Sequence, residues 1–85
     1  MREPIYKDSD FCIRLNDLIW SAQTIQRKTL KEISDEMSIS ISMFTNYKYG
    51  SALPGAESLI IIADYFGVSI DYLLGREGYE LEEKK

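Results

Sequence analysis

The sequence predicts an all-α domain of five short helices. Three observations carry that expectation. Apolar residues recur at spacings of three and four, the period of one helical face. Ser9, Thr29, Ser40 and Ser69 stand as hydroxyl caps just before such runs. Gly50, Gly67 and Gly75 stand just after three of them, where glycine readily takes the left-handed conformation that ends a helix.

The first helix is expected to open at Ser9 or Asp10, with Phe11, Leu15, Leu18, Ala22 and Ile25 on its buried stripe. Trp20 falls off that stripe, either as an exposed aromatic or packed under the C-terminal part. The second helix opens at Thr29. Thr29 and Glu32 have the spacing of a capping box, in which each side chain satisfies the other's backbone N–H. Leu30, Ile33 and Met37 supply its buried face, and Ser38 and Ile39 make a tight turn. The third helix opens at Ser40, places Ile41, Phe44 and Tyr47 on one face, carries Lys48 late and stops at Gly50. Pro54 suits the entry to a fourth helix, about Ala56 to Phe66, that buries Leu59, Ile62, Ala63 and Phe66. A last short helix follows Ser69, with Tyr72, Leu73 and Leu74 turned inward.

Composition narrows the function. Eighty-five residues with a 45% hydrophobic fraction make one small globular domain. Cys12 is the single cysteine and histidine is absent. No zinc set, Ser/His pair or Cys/His pair can be built, so neither an enzyme nor a metal or other cofactor site is expected. Cys12 reads as a small buried hydrophobe. The start lacks an apolar leader core, and LIIIADYF is too short to span a bilayer. The expectation is a soluble, cytoplasmic protein without a membrane partner or an apparent small-molecule ligand.

The segment Thr29 to Gly50, two capped helices around a tight turn, has the pattern of a helix-turn-helix, whose second helix enters the DNA major groove. The charge argues the other way. The net charge is −4 and the pI about 4.7, whereas phosphate neutralisation normally favours basic binders. Glu77, Glu80, Glu82 and Glu83 crowd the tail, while Arg27, Lys28, Lys31 and Lys48 lie in or beside the two-helix segment. Residues 1–8 read as an N-terminal arm, 9–76 as the folded domain and 77–85 as an acidic tail.

The chain resembles the Cro and phage-repressor type of helix-turn-helix regulator, the XRE family. The resemblance covers roughly Phe11 to Arg76 and is strongest in SALPGAESLIIIADYFGVSIDYLLGR. It implies a compact five-helix, lambda-repressor-like bundle whose third helix reads double-stranded DNA. Ile41, Ser42, Met43, Thr45 and Asn46 are then the candidate base readers. Asn46 suits an adenine edge, Ser42 and Thr45 several base edges, and Ile41 and Met43 a thymine methyl. Thr29, Lys31, Ser40, Lys48 and Ser51 are candidates for the DNA backbone. The same side chains also suit an ordinary solvated helix face.

The departures from the family pattern are specific. Leu30 stands where many members have Gln, and Ser38 where many have Gly, so Ser38 must bear any left-handed strain itself. Ile19 and Lys48 stand where many carry an Arg–Glu charge pair, and the loop after Gly50 lacks the usual lysines. These changes predict weaker, less salt-sensitive DNA binding. Ile61 and Tyr65, four apart on the fourth helix, are expected to point outward and mark a homodimer contact or, alternatively, to lie under a wider core. The leading expectation is a sequence-specific transcriptional repressor on a partly palindromic operator. The alternative is a protein-interaction module on a helix-turn-helix scaffold that has lost DNA binding.

Overall fold

The computed structural model of the chain describes residues 3–76. The tail glutamates 77, 80, 82 and 83 lie outside the described residues. Five helices follow in order: α1 Asp10–Ile25, α2 Leu30–Met37, α3 Ile41–Tyr49, α4 Ala56–Phe66 and α5 Ile70–Leu73. The fold is all-α, as the sequence predicts, and no strand occurs among the described residues. No helix among them is long and apolar enough to cross a membrane.

Local chemistry sets the helix ends. The Ser9, Thr29, Ser40 and Ser69 hydroxyls each accept from a backbone N–H three residues on. The Thr29–Glu32 capping box is complete on both sides. Three helices end on a residue in the left-handed region: Ser38 (φ 59°), Gly50 (φ 93°) and Gly67 (φ 70°). In each case the next amide reaches back five residues: Ile39 to the Ser34 carbonyl, Ser51 to Asn46, Val68 to Ala63. This satisfies carbonyls that the helix itself leaves open. Ser38 takes the conformation without glycine's freedom, as anticipated.

One core joins the helices. Phe44, Leu15, Ile19, Ile33, Ile62 and Leu73 are fully buried, with Phe11, Ala22, Met37, Tyr47 and Ala63 around them. Ile39 in the turn is also buried, which draws α3 back over α2. Ser34 is buried beside it, its hydroxyl donating to the Lys31 carbonyl at 3.0 Å.

Several burial expectations are corrected: Leu18, Leu30 and Tyr72 are only half-buried against the core. Ile25 is 75% exposed, and Ile19 takes the place assigned to it on the buried stripe. The stripe runs 11, 15, 19, 22; by residue 25 the helix is ending, and Arg27 at φ 59° turns the chain away. Leu59 and Phe66 are half-buried against the core. Leu74 is exposed, because α5 ends at Leu73. Residues 5–8 of the N-terminal arm form a turn, and the Tyr6 amide donates to the Gly50 carbonyl at 2.8 Å.

Candidate nucleic-acid interface

α2, the Ser38–Ser40 turn and α3 form the two-helix unit. α3 has nine residues, about 13 Å at 1.5 Å per residue, and its inner side is held by Phe44 and Tyr47. Ile41, Ser42, Met43, Thr45 and Asn46 are all exposed. Ser42, Met43, Thr45 and Asn46 lie outside the row that Phe44 and Tyr47 occupy, so a short helix with one buried flank leaves them on its solvent side. Ile41 begins the Phe44–Tyr47 row and is less open, at 37%, than Met43 at 47%.

The hydroxyls at the helix starts have a double capacity. The Ser40 oxygen accepts from the Met43 amide at 3.1 Å, and the Thr29 oxygen accepts from Glu32 at 3.1 Å. Each O–H proton remains available to donate to an anion. The two helix ends differ electrostatically. Glu32 places a carboxylate at the start of α2 and takes the Thr29 amide at 2.8 Å. A phosphate there meets a charge of its own sign. The first turn of α3 holds no acidic residue, and the Ile41 and Ser42 amides have no intrahelical acceptor. The α3 end is the better anion site of the two.

The lysines are unequal. Lys31 Nζ lies 2.9 Å from both oxygens of Asp35, an exposed i,i+4 pair worth about 0.3–0.5 kcal/mol. It releases at little cost. Lys28 Nζ lies 2.6 Å from Glu36 and 3.3 Å from the Tyr65 hydroxyl, which itself donates to Glu36. Lys48 is half-buried, and no ion pair engages it among the described residues. Its carbonyl accepts from Asn16 Nδ2 at 2.9 Å and from the Cys12 thiol at 3.4 Å. Cys12 is buried, as expected, and desolvation pushes its thiol pKa up.

Two sequence expectations about the exposure of site residues are corrected. Ser51 is only 4% exposed. Its amide is taken by the Asn46 carbonyl and its hydroxyl donates to Asn46 Oδ1 at 3.4 Å, so it supports a candidate reader instead of reaching a phosphate. Ile61 and Tyr65 do not form an outward pair. Both pack half-buried against the core, and the Tyr65 hydroxyl ties α4 to Glu36 of α2. The half-burial fits the wider-core alternative for this pair. Ile19 is buried and lines the groove beside Lys48 together with Asn16, Asp17, Trp20 and Gln23, so no charge pair joins these two positions.

Sequence reasoning missed Asn16 and Gln23 beside Lys48, and Tyr49, which shares a second groove with Leu30, Thr45 and Lys48. No local motif marks any of them. Trp20 had a signal, an aromatic off the buried stripe, and it is 65% exposed.

Two curated relatives share this part of sequence space. The chain is 43% identical over 49 residues to the "Cryptic phage CTXphi transcriptional repressor RstR" of Vibrio cholerae serotype O1, covering 58% of this chain and 44% of that one. It is 29% identical over 65 residues to the "Uncharacterized HTH-type transcriptional regulator YobD" of Bacillus subtilis, covering 76% of this chain and 54% of that one. The chain thus spans about half the length of the curated relatives it matches. No protein-family model matches it, and no solved structure matches it.

Proposed function

We propose that this chain is a DNA-binding transcriptional regulator of the helix-turn-helix type, a repressor of the XRE kind, with residues 9–76 as the binding unit. α3 enters the major groove. Ser42, Thr45 and Asn46 contact base edges, while Ile41 and Met43 meet thymine methyls. Thr29, Ser40, Lys31 and Lys48 meet the backbone. Two copies present their α3 helices about one DNA turn, ~34 Å, apart on a partly palindromic operator. Binding occludes a promoter. No catalysis, metal or cofactor takes part, and the site of action is the cytoplasm.

The observation that carries this reading is the exposed row on α3, held against the core by Phe44 and Tyr47 and preceded by the left-handed Ser38 turn. The names of the two relatives, a phage repressor and an HTH-type regulator, support it. Site selection from random duplexes, followed by gel shift at low and moderate salt, tests it. An enriched motif and saturable, sequence-dependent retardation are expected. No retardation at micromolar protein overturns it.

One observation favours a second reading. Ile41 and Met43 are exposed apolar side chains on α3, and the chain as a whole is acidic. Exposed apolar side chains on that helix suit a protein partner on a scaffold that no longer binds DNA. The gel shift separates the two.

A further inference from the structure

Trp20 is the single tryptophan of the chain, and α1 leaves it 65% exposed. It is not isolated on the surface. It lines a shallow groove with Asp17, Gln23 and Lys48. Lys48 also lines the neighbouring groove with Thr45 and Tyr49. Lys48 is therefore a shared wall, and the surface runs without a break from Trp20 on α1 to Thr45 on α3.

The backbone of that wall is fixed. Asn16 and Cys12 both donate to the Lys48 carbonyl, so the root of the lysine stays beside α1. No ion pair engages Lys48 among the described residues. Lys48, Gln23 and Trp20, which carry an ammonium, a carboxamide and an indole N–H, thus line one groove. These are donors suited to phosphate oxygens, and the indole face suits the apolar side of a deoxyribose. Asp17 on the same groove repels phosphate and confines the contact to the Gln23–Lys48 side.

Resting on the regulator reading above, we infer that the Trp20–Gln23–Lys48 face is a DNA-backbone contact flanking the reading helix. It contributes affinity without base preference. A protein surface accounts equally for an exposed tryptophan, but not for the unpaired cation continuous with α3.

The test uses the full chain and a duplex carrying the selected motif. Trp20 emission is expected to change saturably, with the midpoint seen by gel shift. Trp20→Ala is expected to weaken binding to all sites in the same proportion and leave the selected motif unaltered. Lys48→Gln is expected to reduce the slope of log K against log salt by about one. Trp20→Phe keeps the ring and removes the N–H, and circular dichroism checks that each variant folds. The inference is overturned if wild type binds DNA while its emission stays constant at saturation and Trp20→Ala keeps full affinity. It is also overturned if Trp20→Ala changes only the oligomeric state in sedimentation, which assigns the face to a protein partner. If wild type binds no duplex at all, the regulator reading falls and takes this inference with it.

Discussion

Asn16 Nδ2 donates to the Lys48 carbonyl at 2.9 Å and to the Cys12 carbonyl at 2.8 Å. One neutral side chain thereby fastens α1 to the last turn of α3. A carboxamide makes the joint and leaves Lys48's charge unspent. Because an amide does not titrate, the joint holds across pH and salt.

Asn16→Leu is expected to lower stability by about 0.5–1.5 kcal/mol, the net worth of a part-buried hydrogen bond, since the Lys48 carbonyl keeps the weaker Cys12 thiol donor. For a domain of this size each kcal/mol lowers Tm by roughly 4–8 °C. Asn16→Asp replaces donors with acceptors facing two carbonyls. It should be worse than Leu at neutral pH and recover in part as the carboxylate is protonated below about pH 4. Thermal melts at two pH values check both; a wild-type Tm for either variant contradicts the joint.

The two left-handed ends of the reading unit should respond oppositely to substitution. A Cβ on Gly50 meets the Lys7 backbone at 2.6 Å, at φ 93°. Gly50→Ala is therefore expected to destabilise by more than about 1 kcal/mol. Ser38 already carries its Cβ at φ 59°, a conformation that costs a non-glycine residue about 1–2 kcal/mol. Ser38→Gly should be neutral or stabilising by up to about 1 kcal/mol, since glycine's larger unfolded-state entropy offsets part of the relief. Urea titration measures both signs.

Glu36 gives a pH dependence of known direction. The Lys28 ammonium, then the Tyr65 hydroxyl, hold its carboxyl below the usual 4.5. A depressed folded-state pKa contributes stability that is complete above the unfolded value and fades as pH falls from there through the folded value. Glu36→Gln should flatten that acid limb of the stability curve, lying below wild type at neutral pH and converging with it once Glu36 is protonated. Denaturation at a series of pH values from neutral downward measures the difference; parallel curves would refute the coupling.

Asn46 and Ser51 separate reading from support. Asn46→Ala should relax preference at one base-pair position, worth ~1–3 kcal/mol of discrimination. Ser51→Ala should retain that preference in weaker form, because the serine steadies the Asn46 amide through Oδ1. Selection experiments on the three proteins decide; identical motifs for wild type and Asn46→Ala remove Asn46 from the readers.

Short-range chemistry was legible in the sequence. A cap, a box or a glycine stop is settled within five residues, so Ser9, Thr29, Ser40 and Ser69 cap as read, and α4 runs Ala56–Phe66 as read. The exposed row on α3 also follows from period and turn alone. What tertiary packing decided is which flank of each amphipathic helix finds a neighbour. An apolar stripe wider than its partner leaves Ile25 in solvent and buries Ile19; the α2–α4 seam claims Tyr65; the returning loop covers Ser51. Asn16 meets Lys48 across 32 residues of chain. Such meetings depend on how helices cross, and no pattern local to either residue encodes the crossing.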